Sequence, residues 1–210
     1  MESQFDRPVP ARVGVEAEKW DLMKPGLSPD IVPLSVADME FASPPAIIKA
    51  LEDTARSGLW GYTGWGDRYF NALRGWMAAR HGWEIRREWV VRVNGVVQGL
   101  NAAIRALTQP GDGIVIQPPV YPPFFRAVRE NGRTLVESPL RLENGRYEMD
   151  FDDLEEKLAR PEVTAFILCS PHNPVGRVWS EEELRRLGEL CLSHRVLVIS
   201  DEIHCDLIQP

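Results

Sequence analysis

Four short apolar runs in this sequence each end in residues able to hold or act on a ligand. They are Asn94-Gly95-Val96-Val97-Gln98, Gln117-Pro118-Pro119-Val120-Tyr121, Ser170-Pro171-His172-Asn173-Pro174 and Ser200-Asp201-Glu202-Ile203-His204. Asp201 directly follows Val196-Leu197-Val198-Ile199-Ser200. A carboxylate at that depth is costly unless it faces a cation or is well hydrogen-bonded; a protonated ring nitrogen would serve, and so would capping of the local turn. Gly95, opening a helix, lets backbone N–H groups approach an anion, favoured further by the helix dipole; an ordinary strand-to-helix turn has the same pattern. Tyr121, framed by prolines, is a rigid aromatic that can lie on a planar ligand or pack in the core. Asn173 is a turn residue whose amide can also donate to a ligand oxygen. His172 and His204 lack the tight spacing of metal ligands with Asp201 or Glu202, so no metal is assigned.

These segments need elements to hold them. Ser43-Pro44-Pro45 reads as a capped helix start, followed by Ile47, Ile48, Leu51 and Ala55 at helical spacing. Asp67 reads as the cap of a second helix ending at Gly82. Trp89–Val93 reads as a strand, and a helix carries Leu100, Ala103, Ile104 and Leu107. Ile114–Ile116, Thr134–Val136, Val163–Cys169 and Val196–Ile199 are further strands, with helices over 122–131, 150–158 and 181–194 between them. Ser180 with Glu183 is a capping box, and Glu181-Glu182-Glu183 with Arg185-Arg186 reads as a solvated face. Short apolar strands alternating with amphipathic helices predict an α/β fold with a mostly parallel sheet. In such a sheet ligands bind outside the carboxyl ends of the strands, where the four segments above fall.

The 210 residues are 44% hydrophobic and carry a formal charge of -7. That length sustains a full core. The acidic balance argues against nucleic acid and anionic membrane surfaces as partners, and no apolar run is long enough to span a bilayer. Met1–Pro8 lacks the basic-then-apolar pattern of a signal peptide. Cys169, Cys191 and Cys205 are too few and irregular for a disulfide framework or zinc site, read as small core residues, and fit a cytoplasmic setting.

The motifs Ser170-Pro171-His172-Asn173-Pro174-Val175-Gly176 and Ser200-Asp201-Glu202-Ile203-His204 resemble the signature segments of fold-type I pyridoxal-phosphate (PLP) enzymes, the class I/II aminotransferase superfamily. Val36-Ala37-Asp38-Met39-Glu40-Phe41, Gly61-Tyr62-Thr63 and Pro119-Val120-Tyr121-Pro122-Pro123-Phe124 narrow the resemblance to the MalY/PatB-type branch, the cystathionine and cysteine-S-conjugate β-lyases. The resemblance runs from about Lys19 to the end of the chain. It implies an aspartate-aminotransferase-like large domain, incomplete, over residues 43–210, with residues 1–42 an N-terminal arm of the small domain. It implies a cytoplasmic homodimer that uses PLP to cleave a sulfur amino acid to thiol, pyruvate and ammonia. An aminotransferase, or a non-catalytic regulator on the same fold, is the alternative.

The resemblance also assigns roles. Asp201 pairs with the pyridine nitrogen, Asn173 donates to the phenolic oxygen and Tyr121 stacks on the ring. Gly95, Val96 and Val97 cradle the phosphate, and Tyr62 reaches the partner subunit's phosphate. His204 stands near the phenolic oxygen, and Ala37 and Asp38 border the substrate. Ser35 departs from the tryptophan common in this branch. None of Lys19, Lys24, Lys49 and Lys157 has the context of the cofactor-binding lysine, which predicts a C-terminally truncated chain that binds the cofactor weakly at best.

Overall fold

The computed structural model describes residues 12–22 and 33–208; the readings of Met1–Pro8 and of Lys24 lie outside them. The chain divides into two compact units, Met1–Trp65 and Gly66–Pro210.

In the first unit, Asp21 organises a tight turn. Its carboxylate accepts hydrogen bonds from the backbone N–H groups of Gly14, Val15 and Ala17 at 3.0–3.1 Å. Donation from Gly14 leads the effects that hold its pKa below the ordinary carboxylate value. Lys19 is buried and ties this turn to the next segment, reaching the Asp38 carbonyl (2.9 Å) and Glu40 (2.8 Å). Helix α1, Pro45–Ser57, starts one residue later than expected: Pro44 occupies the cap position with no side-chain hydrogen bond, and Ser43 does not cap it. The prolines set the start through their fixed φ, and Gly58 ends the helix in the left-handed conformation. The apolar stripe Ile47, Ile48 and Leu51 is exposed.

The second unit opens with α2, Asp67–His81, which Gly66 caps, so Asp67 is its first residue rather than its cap. Gly82 stops it with φ 62°, as expected. Residues 87–89 form a single 3-10 turn, Val90 is extended, and 90–93 belong to no strand. The strand expected at Trp89–Val93 is therefore corrected. Its β-branched composition favours extension, but a strand exists only where a neighbour takes its backbone hydrogen bonds, and among the described residues none pairs with it.

Then follow α3 (Val96–Leu107), β1 (Gly113–Ile116), α4 (Pro123–Glu130), β2 (Thr134–Glu137), β3 (Arg141–Glu143), β4 (Arg146–Glu148), α5 (Phe151–Leu158), β5 (Val163–Cys169), α6 (Glu181–Ser193) and β6 (Leu197–Asp201). The main sheet has the order β2-β1-β5-β6, with every pair parallel. Strands β3 and β4 form a separate antiparallel hairpin. It joins at Asn144-Gly145, both at positive φ (51° and 79°), the residue pair that two-residue hairpin turns favour.

Both faces of the sheet are covered, because successive strand side chains point to opposite sides. Val115, Phe166 and Leu168 share one core cluster with Leu154 and Leu158 of α5 and Leu187 and Cys191 of α6. Ile114, Ile116, Ala165 and Ile167 share the other with Leu100 and Ile104 of α3 and Phe124 and Val128 of α4. Burial raises the Cys191 thiol to about 11, as suits an inert core residue. Cys205 is only half-buried, which corrects its assignment to the core. Edge strand β6 leaves Leu197 and Val198 exposed.

Two stability predictions arise here. A Cβ on Gly113 would lie 2.9 Å from Val163 Cγ2 and 3.2 Å from the Glu162 carbonyl, in the β1–β5 seam. Gly113→Ala is expected to destabilise by about 1–3 kcal/mol through overpacking, read as a lower urea midpoint. The capping box of α6 is formed as expected, with Ser180 Oγ accepting from Glu183 N (3.2 Å) and Glu183 Oε2 from Ser180 N (2.7 Å). Ser180→Ala is expected to cost about 1 kcal/mol, measured as a fall in Tm.

Candidate active site

Parallel pairing in the order β1-β5-β6 brings three of the four chemistry-bearing segments to one edge of the sheet. Cys169 at the end of β5 is in register with Asp201 at the end of β6, and the Ser170 N–H extends the ladder to the Asp201 carbonyl (3.0 Å). Thus the loop carrying Asn173 starts beside Asp201.

That loop is pinned from several sides. His172 N donates to the Arg177 carbonyl (2.7 Å) and Gly176 N to the His172 carbonyl (2.8 Å), closing residues 172–177 into a tight reversal. Asn173 N donates to Cys169 Sγ (3.3 Å). The His172 ring is buried against Trp179, edge to face at 5.5 Å, while the Trp179 indole donates to the Cys169 carbonyl (2.9 Å). His172 Nε2 lies 3.0 Å from the Pro119 carbonyl. A carbonyl only accepts, so Nε2 carries the proton. This bond ties the Asn173 loop to the proline-rich loop that carries Tyr121. Arg177, also buried, donates to the Tyr147 carbonyl (2.7 Å) and pairs with Glu183. Glu183 is therefore half-buried and paired, not part of a wholly solvated face.

A hollow of about 510 Å³ opens at this edge, lined among others by Asn173, Gly176, His204, Leu207 and Ile208. Asn173 and His204 are brought together there. Asp201 and Tyr121 stand at the neighbouring strand ends but are not among the lining residues. Asp201 is half-buried; its Oδ1 accepts the Ile203 N–H (3.2 Å), and among the described residues no cation pairs with it. Tyr121 is half-buried, edge to face with Phe124 at 5.9 Å. Gly95 begins α3 in extended conformation (φ 171°), with no side chain capping the helix. A Cβ there would meet nothing within 4 Å, so Gly95 is demanded neither by φ nor by protein crowding. Val96 and Val97 are partly exposed, and α3 packs through Leu100 and Ile104 into the cluster that takes in Ile199 of β6.

The remaining expected residues belong to the first unit. Tyr62 is fully exposed. Ala37 is exposed, and Asp38 pairs with Arg12 (2.6 Å) while its carbonyl takes Lys19.

Among the described residues, two buried side-chain polar atoms lack hydrogen-bond partners, Gln117 Nε2 just past β1 and His172 Nδ1 just past β5. Such atoms are costly unless something polar meets them. The sequence carried a signal for Gln117, an amide at a strand end, but none for the packing of Trp179 or the burial of Arg177.

Burial lowers the His172 pKa below its ordinary 6.5, so the ring is neutral at neutral pH. Glu183 is pushed up by burial, but donation from Ser180 and the Arg177 charge outweigh this and hold its carboxyl low. Asp153 is likewise held low, as hydrogen bonds from Lys157 and Ser138 outweigh burial. A pKa depressed by folding gives stability that is present above the unfolded value and lost as pH falls through the folded one. Unfolding free energy is therefore expected to fall in two stages on acidification. The first begins near pH 6.5 from His172, and the second begins near pH 4.5 from the carboxylates. Urea titrations across pH read both, and His172→Asn should remove the first.

The aminotransferase class I and II family model matches residues 29–209. Cystathionine beta-lyase PatB of Bacillus subtilis is 49% identical over 199 residues, covering 94% of this chain and 51% of that protein. Protein MalY of Escherichia coli is 36% identical over 199 residues, with the same coverage. The structure of cystalysin from Treponema denticola, which contains a pyridoxal 5'-phosphate cofactor, superposes with TM-score 0.92 at 40% identity, covering 100% of this chain and 54% of that one. The chain thus spans about half the length of the relatives it matches.

Proposed function

This chain belongs to the aminotransferase class I and II family, and from that premise we propose that its full-length form is a PLP-dependent carbon–sulfur β-lyase. Residues 43–210 would form most of the cofactor-binding large domain and residues 1–42 an arm of the small domain. The observation that carries the reading is that Asn173 and His204 line one hollow at the ends of β5 and β6, where Asp201 also stands with no ion-pair partner among the described residues.

The residues present fit the cofactor. Asp201 offers a carboxylate without an ion-pair partner among the described residues, suited to a cationic ring nitrogen. The amino end of α3 has no side-chain cap and suits a phosphate. Gln117 and His172 leave one buried donor and one bare nitrogen at the same edge. When bound, PLP supplies an electron-withdrawing ring that takes up the charge left by the departing Cα proton of an amino acid.

The chain's own residues bind and orient. Asp201 holds a proton on the ring nitrogen. Asn173 donates to the phenolic oxygen, with His204 beside it. Tyr121 stacks on the ring face, fixed through the Pro119–His172 hydrogen bond. Gly95, Val96 and Val97 present backbone N–H groups to the phosphate. Tyr62 reaches the partner subunit's phosphate in a cytoplasmic homodimer, and Ala37 and Asp38 border the substrate. The lysine that carries the cofactor is proposed to lie in the remaining half of the full-length protein.

The test is chemical. Full-length protein given cystathionine or cystine should release thiol, pyruvate and ammonia without any keto acid. Turnover that requires a keto acid and yields an amino-transfer product would assign an aminotransferase instead.

A further inference from the structure

One wall of the hollow, formed by His204, Leu207 and Ile208, comes from a single short segment after β6. Little within the segment holds it. Its backbone bonds are local, Cys205 N to the Glu202 carbonyl and Leu207 N to the His204 carbonyl, both 2.9 Å. Ile203, Leu207 and Ile208 are all exposed, so burial contributes little.

What ties the segment down lies outside the site. Asp206 Oδ2 accepts the indole N–H of Trp76 at 3.0 Å, and Asp206 Oδ1 lies 2.7 Å from His81 Nε2. Both partners come from the carboxyl-terminal part of α2, 130 and 125 residues away in sequence. An indole nitrogen only donates, so Trp76 is the donor to Asp206 Oδ2, while the second carboxyl oxygen is left for His81 Nε2. Hydrogen bonds to a charged acceptor are the stronger kind.

We infer that Asp206 is a positioning residue: through Trp76 and His81 it clamps segment 204–208 to α2 and so sets the place of His204 in the hollow. Its functional half rests on the reading of the hollow as a cofactor site. A rival use of the same atoms is a metal site, since ligand atoms of His81, Cys205 and Asp206 lie within 4.8 Å of one another, a donor set suited to zinc. One observation favours the clamp: both Asp206 oxygens and His81 Nε2 are already engaged, Oδ2 by the Trp76 indole and Oδ1 by His81.

The experiment uses the full-length protein and three readouts: hydrogen exchange of the 204–208 amides, PLP affinity, and cobalt(II) absorption. Asp206→Ala should raise exchange at 204–208 at least about 10-fold and weaken PLP binding about 10-fold, the scale of two partly exposed hydrogen bonds. Asp206→Asn, which keeps an acceptor for one partner, should recover part of both. Adding His81→Ala to Asp206→Ala should change little more, because the two act as one unit. Unchanged exchange at 204–208 in both Asp206 variants would overturn the clamp. So would a one-equivalent cobalt–thiolate band lost in Cys205→Ser, which would assign a metal site. If exchange rises but the unmodified protein takes up no PLP, the clamp stands and the cofactor reading fails.

Discussion

Asp201→Ala in the full-length protein is expected to lower the proposed lyase turnover by about 10²–10⁴-fold while leaving the fold intact. Asp201 ends β6, paired in register with Cys169, its carboxylate touched only by the Ile203 N–H among the contacts the structure gives it. Removing one partner of a desolvated ion pair costs about 3–5 kcal/mol, or roughly 10²–10⁴-fold in rate where the pair acts in the rate-determining step. Without the carboxylate the chain would lack the group proposed to hold a proton on the ring nitrogen, on which the cofactor's electron-withdrawing chemistry would depend. Stability should move little, because a half-exposed turn bond is all that folding loses. Steady-state pyruvate release and a thermal melt measured together check both halves. Near-normal turnover would remove Asp201 from the site.

The second large effect is on folding. Phe166 sits mid-way along β5, fully buried in the cluster it shares with Leu154, Leu158, Leu187 and Cys191. Phe166→Ala leaves a ring-sized void between the sheet and helices α5 and α6, costing about 3–5 kcal/mol. Against a total stability of about 5–15 kcal/mol, that is enough to populate unfolded chain. Leu192→Ala, at a position 79% exposed on α6, should stay within about 0.5 kcal/mol. Urea unfolding of the two variants side by side separates core packing from mere loss of apolar surface.

Where the sequence could be read and where it could not follows from what each signal depends on. Strand β5 was legible to the residue and so was the start of helix α6, because the run Val163–Cys169 and the capping box are local; α6 ends at Ser193, one residue short of the expected end. Residues 90–93 look as much like a strand as β5 does, yet pairing depends on a neighbour that local pattern does not specify. The β3–β4 hairpin had a local signal in Asn144-Gly145 that alternation alone passed over. At the site, the strand-end rule placed Asp201, Asn173 and Tyr121 at one edge of the sheet. It could not show that His172 binds the Tyr121 loop through Pro119, or that Arg177 and Trp179 brace the Asn173 loop. Nor could it show that Asp206 reaches α2. Those contacts join residues far apart in sequence, and no periodicity encodes them.

A crystal structure of the full-length protein grown with PLP tests the central claim most directly. We predict the ring nitrogen within about 2.7–2.9 Å of an Asp201 carboxylate oxygen, the Asn173 amide at the phenolic oxygen, and the phosphate at the first turn of α3. A ring bound elsewhere, or one whose nitrogen faces no carboxylate, would contradict it.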